Sequence, residues 1–383
     1  MTSPTAAPSS GPAAPQTGPR EKVLKFIAPW KVPALAVLTA MAVGAILIAV
    51  AGGDPLSAYS GMFEGSLGSP RAIAETLVWS TPYILTGLSV ALAFQGGLFN
   101  IGAEGQLALG AVLAALVGYG LPAILGGSVP GIIHVPLTIL AGGLAGAAWA
   151  GIPGWLKART GAHEVISTIM LNYVALNAVS FLLNGPMKDT APDNVIARTP
   201  LIAESASLAP ILSSFRLHWG FPLALVAAWG VAWMLKKTTL GFEIRTVGAN
   251  PEAARYAGMH VGRTIVVSMA LSGALAGAAG AIEVSALNHR HQLGFSQGYG
   301  FDAIAIALLG KTKPAGVVPA ALLFGMMRSG APRMQFLTQI PVDVISVIQA
   351  LILLFVAADV MVRRLYRLKG DRERVVITRG WGS

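Results

Sequence analysis

Long apolar segments recur along most of this 383-residue chain, separated by short polar or charged stretches. They lie at about 33–52, 73–95, 100–121, 131–156, 165–184, 218–235, 264–286, 301–327 and 342–361. A helix needs about 20 apolar residues to cross a bilayer. A transmembrane β-barrel would instead show alternating segments of about ten residues, which this chain lacks. The pattern therefore predicts an all-α, polytopic transmembrane protein.

Composition agrees with this class and describes the helices further. Hydrophobic residues make up 54% of the chain and charged residues only 11%, against about 25% charged in ordinary soluble domains. Many of the 45 glycines and 24 prolines lie inside the apolar segments. They favour helices that pack closely or are broken. The chain has no cysteine, which excludes disulfides, thiol catalysis and cysteine-ligated metals.

The net charge of +10 does not indicate nucleic-acid binding, because the basic residues flank the apolar segments. If the N-terminus is cytoplasmic, the inside segments carry 18 lysines and arginines and the outside segments carry 5. The inside segments are 20–31, 157–163, 236–263 and 363–383; the outside segments are 53–71, 185–217 and 287–300. The positive-inside rule therefore predicts that both termini are cytoplasmic.

Two cytoplasmic termini require an even number of crossings, yet nine segments are apparent. Residues 301–341 should therefore contain two short crossings or a re-entrant pair, divided at GKTKPAG. We expect about ten helices in all. A second break, GGLFNIGAEGQ, lies near residues 95–105, about 200 residues earlier, and interrupted segments in both halves of a membrane protein indicate an internal repeat with a transport path between the halves.

Two local patterns resemble a nucleotide-binding motif and a metal site but predict neither. GKT at 310–312 resembles the end of a Walker A motif, but Ala305 stands where the motif needs glycine, and the preceding AIAIALL is typical of a membrane segment. His289 and His291 could hold a metal, but as an exposed loop pair without a third ligand they predict none. The sequence shows no paired acid and base at catalytic spacing, so no such pattern indicates an enzyme.

The inside segment 236–263 is the most informative polar stretch. Asn250 suits the N-cap and Pro251 the first position of a short helix, and Gly258 can end it. A short exposed helix between two membrane helices is suited to docking on another protein. The alternative is a plain surface connector.

Family resemblance favours docking. The spacing Glu252-Ala253-Ala254-x-x-x-Gly258 resembles the start of the EAA motif of ABC-importer permeases, although the hydrophobic Ile and Leu-Pro end of that motif is not present. The wider stretch LGFEIRTVGANPEAARYAGM resembles the same permeases more specifically. GLFNIGAEGQLALGA (97–111), LKARTGAHEVISTIMLNYVA (156–175) and GYGFDAIAIALLGKTKPAGVV (298–318) resemble permeases for sugars, branched-chain amino acids and nucleosides, most closely the nucleoside branch. The resemblance spans roughly 90–330, and His163 departs from it where asparagine is expected.

The resemblance implies an inner-membrane transport subunit, not an enzyme, surrounded by membrane lipid and moving a small neutral solute. Its implied partners are an ABC ATPase, a second and shorter permease chain, and an extracytoplasmic substrate-binding lipoprotein. ATP would be bound by the partner, with no cofactor in this chain. The residues implied in coupling to the ATPase are Arg245, Gly248, Asn250, Glu252, Ala253, Ala254 and Gly258.

A nucleoside requires amide and carboxylate partners and aromatic faces, while a strongly charged solute would require more intramembrane countercharges than the chain has. The expected pathway residues are Phe94, Phe99, Asn100, Glu104, Gln106, Asn172, Tyr173, Phe301 and Asp302. Alternatively, these side chains stabilise helix packing and form hydrogen bonds with the backbone groups left unpaired at the breaks. A simple sugar is the alternative solute, and an ion-coupled secondary transporter the alternative mechanism.

The expected organisation has three parts. Residues 1–19, rich in proline, should form a disordered tail; 20–362 form the permease domain; and 363–383 form a basic cytoplasmic tail. AVA at 49–51 resembles a signal-peptidase site, but the apolar region before it is longer than a usual signal sequence. The first helix is therefore expected to be retained.

Overall fold

The regular structure of the protein is helical throughout the part of the chain that the computed structural model describes, residues 31–191, 194–296 and 298–367. No β-strand occurs in these ranges, although two isolated bridges, Arg198 with Gln292 and Pro210 with His218, tie the long loop after residue 184. The predicted disordered tail 1–19 and most of the predicted tail 363–383 lie outside the described residues. The all-α class is confirmed.

Fourteen α-helices lie within the described ranges. They are α1 Lys31–Val50, α2 Pro55–Leu67, α3 Pro70–Gln95, α4 Ala103–Leu125, α5 Gly131–Thr160, α6 Glu164–Asn184, α7 Gly220–Lys237, α8 Thr239–Ala249, α9 Pro251–Tyr256, α10 Val261–Glu283, α11 Tyr299–Leu309, α12 Pro314–Thr338, α13 Asp343–Ala357 and α14 Asp359–Leu365. A 3-10 turn forms at Glu204–Ala206, and α10 continues into a π-helical turn at Val284–Asn288.

Six of these helices are long and apolar enough to cross a membrane: α1, α3, α4, α5, α6 and α10 with its π-helical turn. The helices α11 and α13 are apolar but shorter. The polytopic transmembrane class follows from these spans. The expected total of about ten helices is not confirmed, because the described residues form fourteen. The internal repeat stays a prediction, because helix bounds alone do not establish it.

Glycines allow the central helices α4, α5 and α10 to pack at backbone distance. A Cβ built on Gly146 of α5 would lie 2.1 Å from the carbonyl oxygen of Gly273 of α10, and one on Gly273 would lie 2.2 Å from that of Gly146. One turn away, a Cβ on Gly277 would lie 2.1 Å from the Gly142 oxygen. Small residues at helix crossings let van der Waals packing hold membrane helices together. The predicted close packing is therefore realised in the centre of the bundle.

The half-length helix α2 was not anticipated from the sequence. Asp54 caps it by accepting hydrogen bonds from Leu56 N (3.3 Å) and Ser57 N (2.9 Å). It packs on α12, where a Cβ on Gly330 would lie 2.1 Å from the Met62 carbonyl oxygen. Its apolar content is low, so the sequence pattern assigns these residues to a connecting segment.

The apolar segment 301–327 is divided as predicted. It consists of α11 and the beginning of α12, and the break occurs at residues 310–313. Lys311 and Thr312 both adopt positive φ there, at 53° and 55°, a conformation that non-glycine residues seldom adopt. The GKT sequence therefore forms a tight turn between two helices.

Candidate functional site

The first break folds back into the helical bundle. After Gln95 the chain turns at Gly97, whose φ is +70°, and Asn100 Nδ2 then donates to Ser272 Oγ at 2.8 Å. Ser272 Oγ in turn donates to the Ser89 carbonyl at 2.7 Å. Ser89 lies six residues before the end of α3, or about 9 Å back along its axis. Helix α4 therefore begins inside the bundle rather than at its edge.

Two buried amides close this re-entrant stretch. Asn100 Nδ2 donates to Gln106 Oε1 at 2.9 Å, and Gln106 Nε2 donates back to Asn100 Oδ1 at 2.9 Å. Asn100 Oδ1 also accepts from the Gly102 amide at 3.0 Å. Both side chains are essentially inaccessible to solvent. The two side-chain amides thus pair with each other, and Asn100 also pairs with one backbone amide of the irregular stretch.

A third amide joins the break to α6. Asn172 Oδ1 accepts from Gly105 N at 2.9 Å, and its Nδ2 donates to the Ile101 carbonyl at 2.8 Å. Backbone freed by a helix break in a membrane must find such partners. The neighbouring Tyr173 is 63% exposed and takes no part in these hydrogen bonds.

Glu104 connects the first break to the beginning of α11. Its Oε2 accepts from the Gly300 amide at 2.7 Å, and the side chain is buried. A Cβ on Gly300 would lie 2.2 Å from the Glu104 amide nitrogen, so the two helix N-termini touch. A carboxylate is stabilised at helix N-termini, where unpaired amide groups carry partial positive charge. Glu104 therefore holds two broken helices together.

The aromatic pathway candidates do not lie together. Phe94 and Phe99 pack edge to face across the first break with ring centroids 5.0 Å apart. Phe301 is 48% exposed at the beginning of α11. Asp302 beside it is half-buried and accepts a hydrogen bond from the Tyr83 hydroxyl at 2.9 Å. Tyr83 was missed from the sequence, because an aromatic residue within an apolar helix gives no separate signal.

The structure thus gathers Asn100, Glu104, Gln106 and Asn172 at one buried junction, with Phe94 and Phe99 at its edge. Tyr173 and Phe301 are exposed instead. The hydrogen bonds observed are those expected if the side chains stabilise the break. Lining of a pathway stays a prediction for all nine residues.

The short exposed helix has the predicted capping. Asn250 Oδ1 accepts from Ala253 N at 3.0 Å, Pro251 occupies the first turn of α9, and Gly258 adopts φ +82° just after the helix. Ala254 is buried against the rest of the loop. Glu252 and Ala253 are exposed, as is Tyr256 at 92%. Helix α9 therefore presents an open surface.

Arg245, one of the residues implied in coupling to the ATPase, hydrogen-bonds within its own helix. Its Nε donates to the Gly241 carbonyl at 3.3 Å, one turn earlier in α8. The contact with the first break is made by Gly248 instead: a Cβ there would lie 2.2 Å from the Gln95 carbonyl oxygen and 2.8 Å from Gly97 N. Helix α8 thus rests directly on the first break.

Gln95 also reaches the second break. Its Nε2 donates to the Thr312 carbonyl at 3.0 Å and contacts Thr312 Oγ1 at 3.1 Å. The end of α3, helix α8 and the 310–313 turn therefore meet at one residue. The sequence marked Gly248 and both breaks separately but could not show that Gln95 joins them.

The interpretation of His289 and His291 as an exposed pair is wrong for His291, which is buried. Its carbonyl oxygen accepts from Thr199 N at 2.9 Å and its amide donates to Thr199 Oγ1 at 3.0 Å. Its ring packs edge to face on Phe295, with ring centroids 4.4 Å apart. Burial lowers the pKa of His291 to about 3. Among the described residues, no group of three or more histidines and carboxylates lies close enough to hold a metal ion.

Residues 72–357 match the family model described as branched-chain amino acid transport system / permease component. The chain belongs to this permease family. It is 42% identical over 338 residues to the guanosine ABC transporter permease protein NupP of Bacillus subtilis, covering 87% of this chain and 94% of that protein. It is 36% identical to the nucleoside ABC transporter permease protein NupB of Lactococcus lactis, covering 86% and 91%.

A third relative is the glucose ABC transporter permease protein TsgB13 of Haloferax volcanii. It is 36% identical to this chain, and the alignment covers 92% of this chain and 93% of that protein. In both the Bacillus and the Lactococcus species a second permease chain also matches, NupQ at 30% and NupC at 29% identity. No solved structure matches this chain significantly. The resemblance recognised in the sequence is confirmed at the level of the family.

Proposed function

We propose that this chain is a permease subunit of a binding-protein-dependent ABC importer that moves nucleosides across the inner membrane. The observation that carries the proposal is the 42% identity to a guanosine permease along 94% of that protein, joined by the 36% identity to a nucleoside permease. Energy comes from ATP hydrolysis by a partner subunit, so this chain transports without being an enzyme.

The complex contains a second, different permease chain, as the paired permeases of the two bacterial relatives suggest. An extracytoplasmic lipoprotein delivers the solute. The excess of lysine and arginine in the inside segments, 18 against 5, supports cytoplasmic termini and a cytoplasmic α8–α9 loop. The ATPase docks on the exposed face of α9, around Glu252 and Tyr256.

The mechanism follows from the contacts at Gln95. A docked ATPase that moves α9 also moves α8, because a single residue, Asn250, separates the two helices. Helix α8 cannot approach α3 further, since Gly248 already touches the Gln95 backbone. Its displacement is passed to the first break directly and to the 310–313 turn through the Gln95–Thr312 hydrogen bond. Both breaks then move together during the ATPase cycle.

A simple sugar is the second candidate solute, and the observation that favours it is the 36% identity to a glucose permease over 92% of this chain. A neutral polyhydroxylated ring would suit the same amide and carboxylate groups. The binding protein performs part of the selection in either case.

The test is uptake by the complete complex in cells that lack other nucleoside and glucose uptake systems. Labelled guanosine and uridine should accumulate, and labelled glucose should not. Accumulation should persist when an ionophore collapses the ion gradients and stop when the partner ATPase carries a substituted Walker A lysine. Uptake of glucose without either nucleoside would replace the nucleoside assignment by the sugar assignment.

A further inference from the structure

One buried amide in the bundle has no partner. Gln349 lies near the middle of α13, only 2% exposed, and neither its Nε2 nor its Oε1 makes a hydrogen bond. Buried polar groups in native proteins are nearly always paired, because an unpaired one loses its interactions with water and gains nothing in return. The paired amides Asn100, Gln106 and Asn172 show that this fold satisfies such groups elsewhere. Four other described residues, His218, Ser285, His291 and Ser296, each leave one buried side-chain atom unpaired, whereas Gln349 leaves both a donor and an acceptor. This adjacent unpaired donor and acceptor indicate a position for a ligand.

The surroundings of Gln349 are polar and aromatic. Tyr83 lies nearby but outside hydrogen-bond geometry, and its hydroxyl donates to Asp302 at 2.9 Å. The Arg328 guanidinium faces the Trp79 ring with Cζ 5.9 Å from the ring centroid, and Nη1 donates to Ser346 Oγ at 3.4 Å. We call these six residues the Gln349 cluster.

The Gln349 cluster opens from the bundle to its surface. Ser346 is exposed and lies three residues before Gln349, on the same face of α13. Trp79, Asp302 and Arg328 are half-buried, while Tyr83 and Gln349 are buried. Charged side chains within membrane segments face protein or a water-filled cavity rather than lipid. The open side of the cluster is therefore accessible to water or to a partner chain.

The cluster also lies on the side where a solute would arrive. Trp79, Arg328, Ser346 and Gln349 lie within about three helical turns of the helix ends at Pro70, Thr338 and Asp343, and Tyr83 lies one turn deeper, near the middle of α3. With cytoplasmic termini, these ends are extracytoplasmic. A binding protein releases its solute on that side.

We propose that the Gln349 cluster binds the base of a nucleoside during its passage, an inference that rests on the proposed function. A primary amide presents a donor and an acceptor side by side, matching the adjacent donor and acceptor on the edge of a base. The Trp79 indole offers a face for stacking. The Asp302 carboxylate and Arg328 guanidinium supply further hydrogen-bond acceptors and donors.

The test compares Gln349→Leu with the wild-type chain in the complete complex reconstituted in proteoliposomes. Guanosine transported and ATP hydrolysed are measured together, with the guanosine-loaded binding protein present. Loss of two hydrogen bonds should lower the guanosine transported per ATP about tenfold, equivalent to 1.4 kcal/mol. The melting temperature should stay equal or rise, because leucine buries no unpaired amide. Gln335→Leu, at an exposed position of α12, is the matched control and should change nothing.

Each result has a distinct meaning. If the wild-type complex transports guanosine and Gln349→Leu keeps the same ratio of guanosine to ATP, the site is wrong and the nucleoside function stands. A wild-type complex that transports glucose but no guanosine overturns both. If Gln349→Leu fails to assemble, Gln349→Met replaces the amide with an unbranched side chain of the same length and is judged by the same ratio.

Discussion

Substituting Gly248 by alanine should separate ATP hydrolysis from transport. The added Cβ would lie 2.2 Å from the Gln95 carbonyl oxygen, about 1.2 Å closer than the 3.4 Å at which ordinary contact begins, and 2.8 Å from two more backbone atoms of Gly96 and Gly97. Backbone atoms cannot rotate out of the way, so α8 must move away from α3. Overpacking of this kind costs about 1–3 kcal/mol.

The displacement should weaken the contact through which α8 acts on the first break. We expect Gly248→Ala complexes to assemble with a slightly lower melting temperature and to lose most of the ATPase stimulation by loaded binding protein. Uptake should fall in parallel. The assay is hydrolysis by the reconstituted complex with and without loaded binding protein.

Gly262→Ala is the matched control, because its Cβ would lie 3.6 Å from that of Ala158, an ordinary contact near the same end of the bundle. It should keep wild-type stimulation. If Gly248→Ala also keeps full stimulation and transport, α8 does not transmit motion to the first break, and the coupling mechanism given above is wrong.

Three further outcomes are expected. Asn100→Ala and Glu104→Ala should each abolish nucleoside uptake while leaving an assembled complex; normal uptake in both would remove these residues from the pathway. Asn172→Leu should lower the free energy of unfolding by about 2–4 kcal/mol, since it leaves the buried Gly105 amide and the part-buried Ile101 carbonyl unpaired. An unchanged melting temperature would contradict this. Burial lowers the pKa of His291 to about 3 in the folded state, from an unfolded value near 6.5. The neutral ring therefore contributes stability above pH 6.5, and about 1.4 kcal/mol of it is lost by pH 5.5. His291→Gln should make the melting temperature less dependent on pH between 7.5 and 5.5, and an unchanged pH dependence would contradict this.

Features fixed by neighbouring residues could be predicted from the sequence. The capping of α9 by Asn250 and its end near Gly258 depend on residues within one turn, and the 310–313 break follows from a glycine and a proline within an apolar segment. The transmembrane class follows from segment length alone.

Features fixed by distant residues could not be predicted. Gly248 and Gln95 are far apart in sequence, so no local pattern reveals their contact. Gln349 gives no signal as an isolated glutamine in an apolar helix, and it becomes notable only when its unpaired atoms are seen beside Tyr83. An arginine such as Arg328 in an apolar helix is a usable signal, but the apolar segment read from the sequence ends at 327, one residue before it.

The glycine crossing between α5 and α10 has a consequence for how the protein is made. Gly146 and Gly273 are roughly 130 residues apart, so at ribosomal rates of about 5–20 residues per second α5 waits for roughly 6–25 seconds before its partner is synthesised. During that interval lipid chains cover the glycine face, and α10 must displace them to reach backbone contact. A bulkier residue at this crossing would therefore act during biogenesis, reducing the number of mature molecules in the membrane rather than the speed of each one.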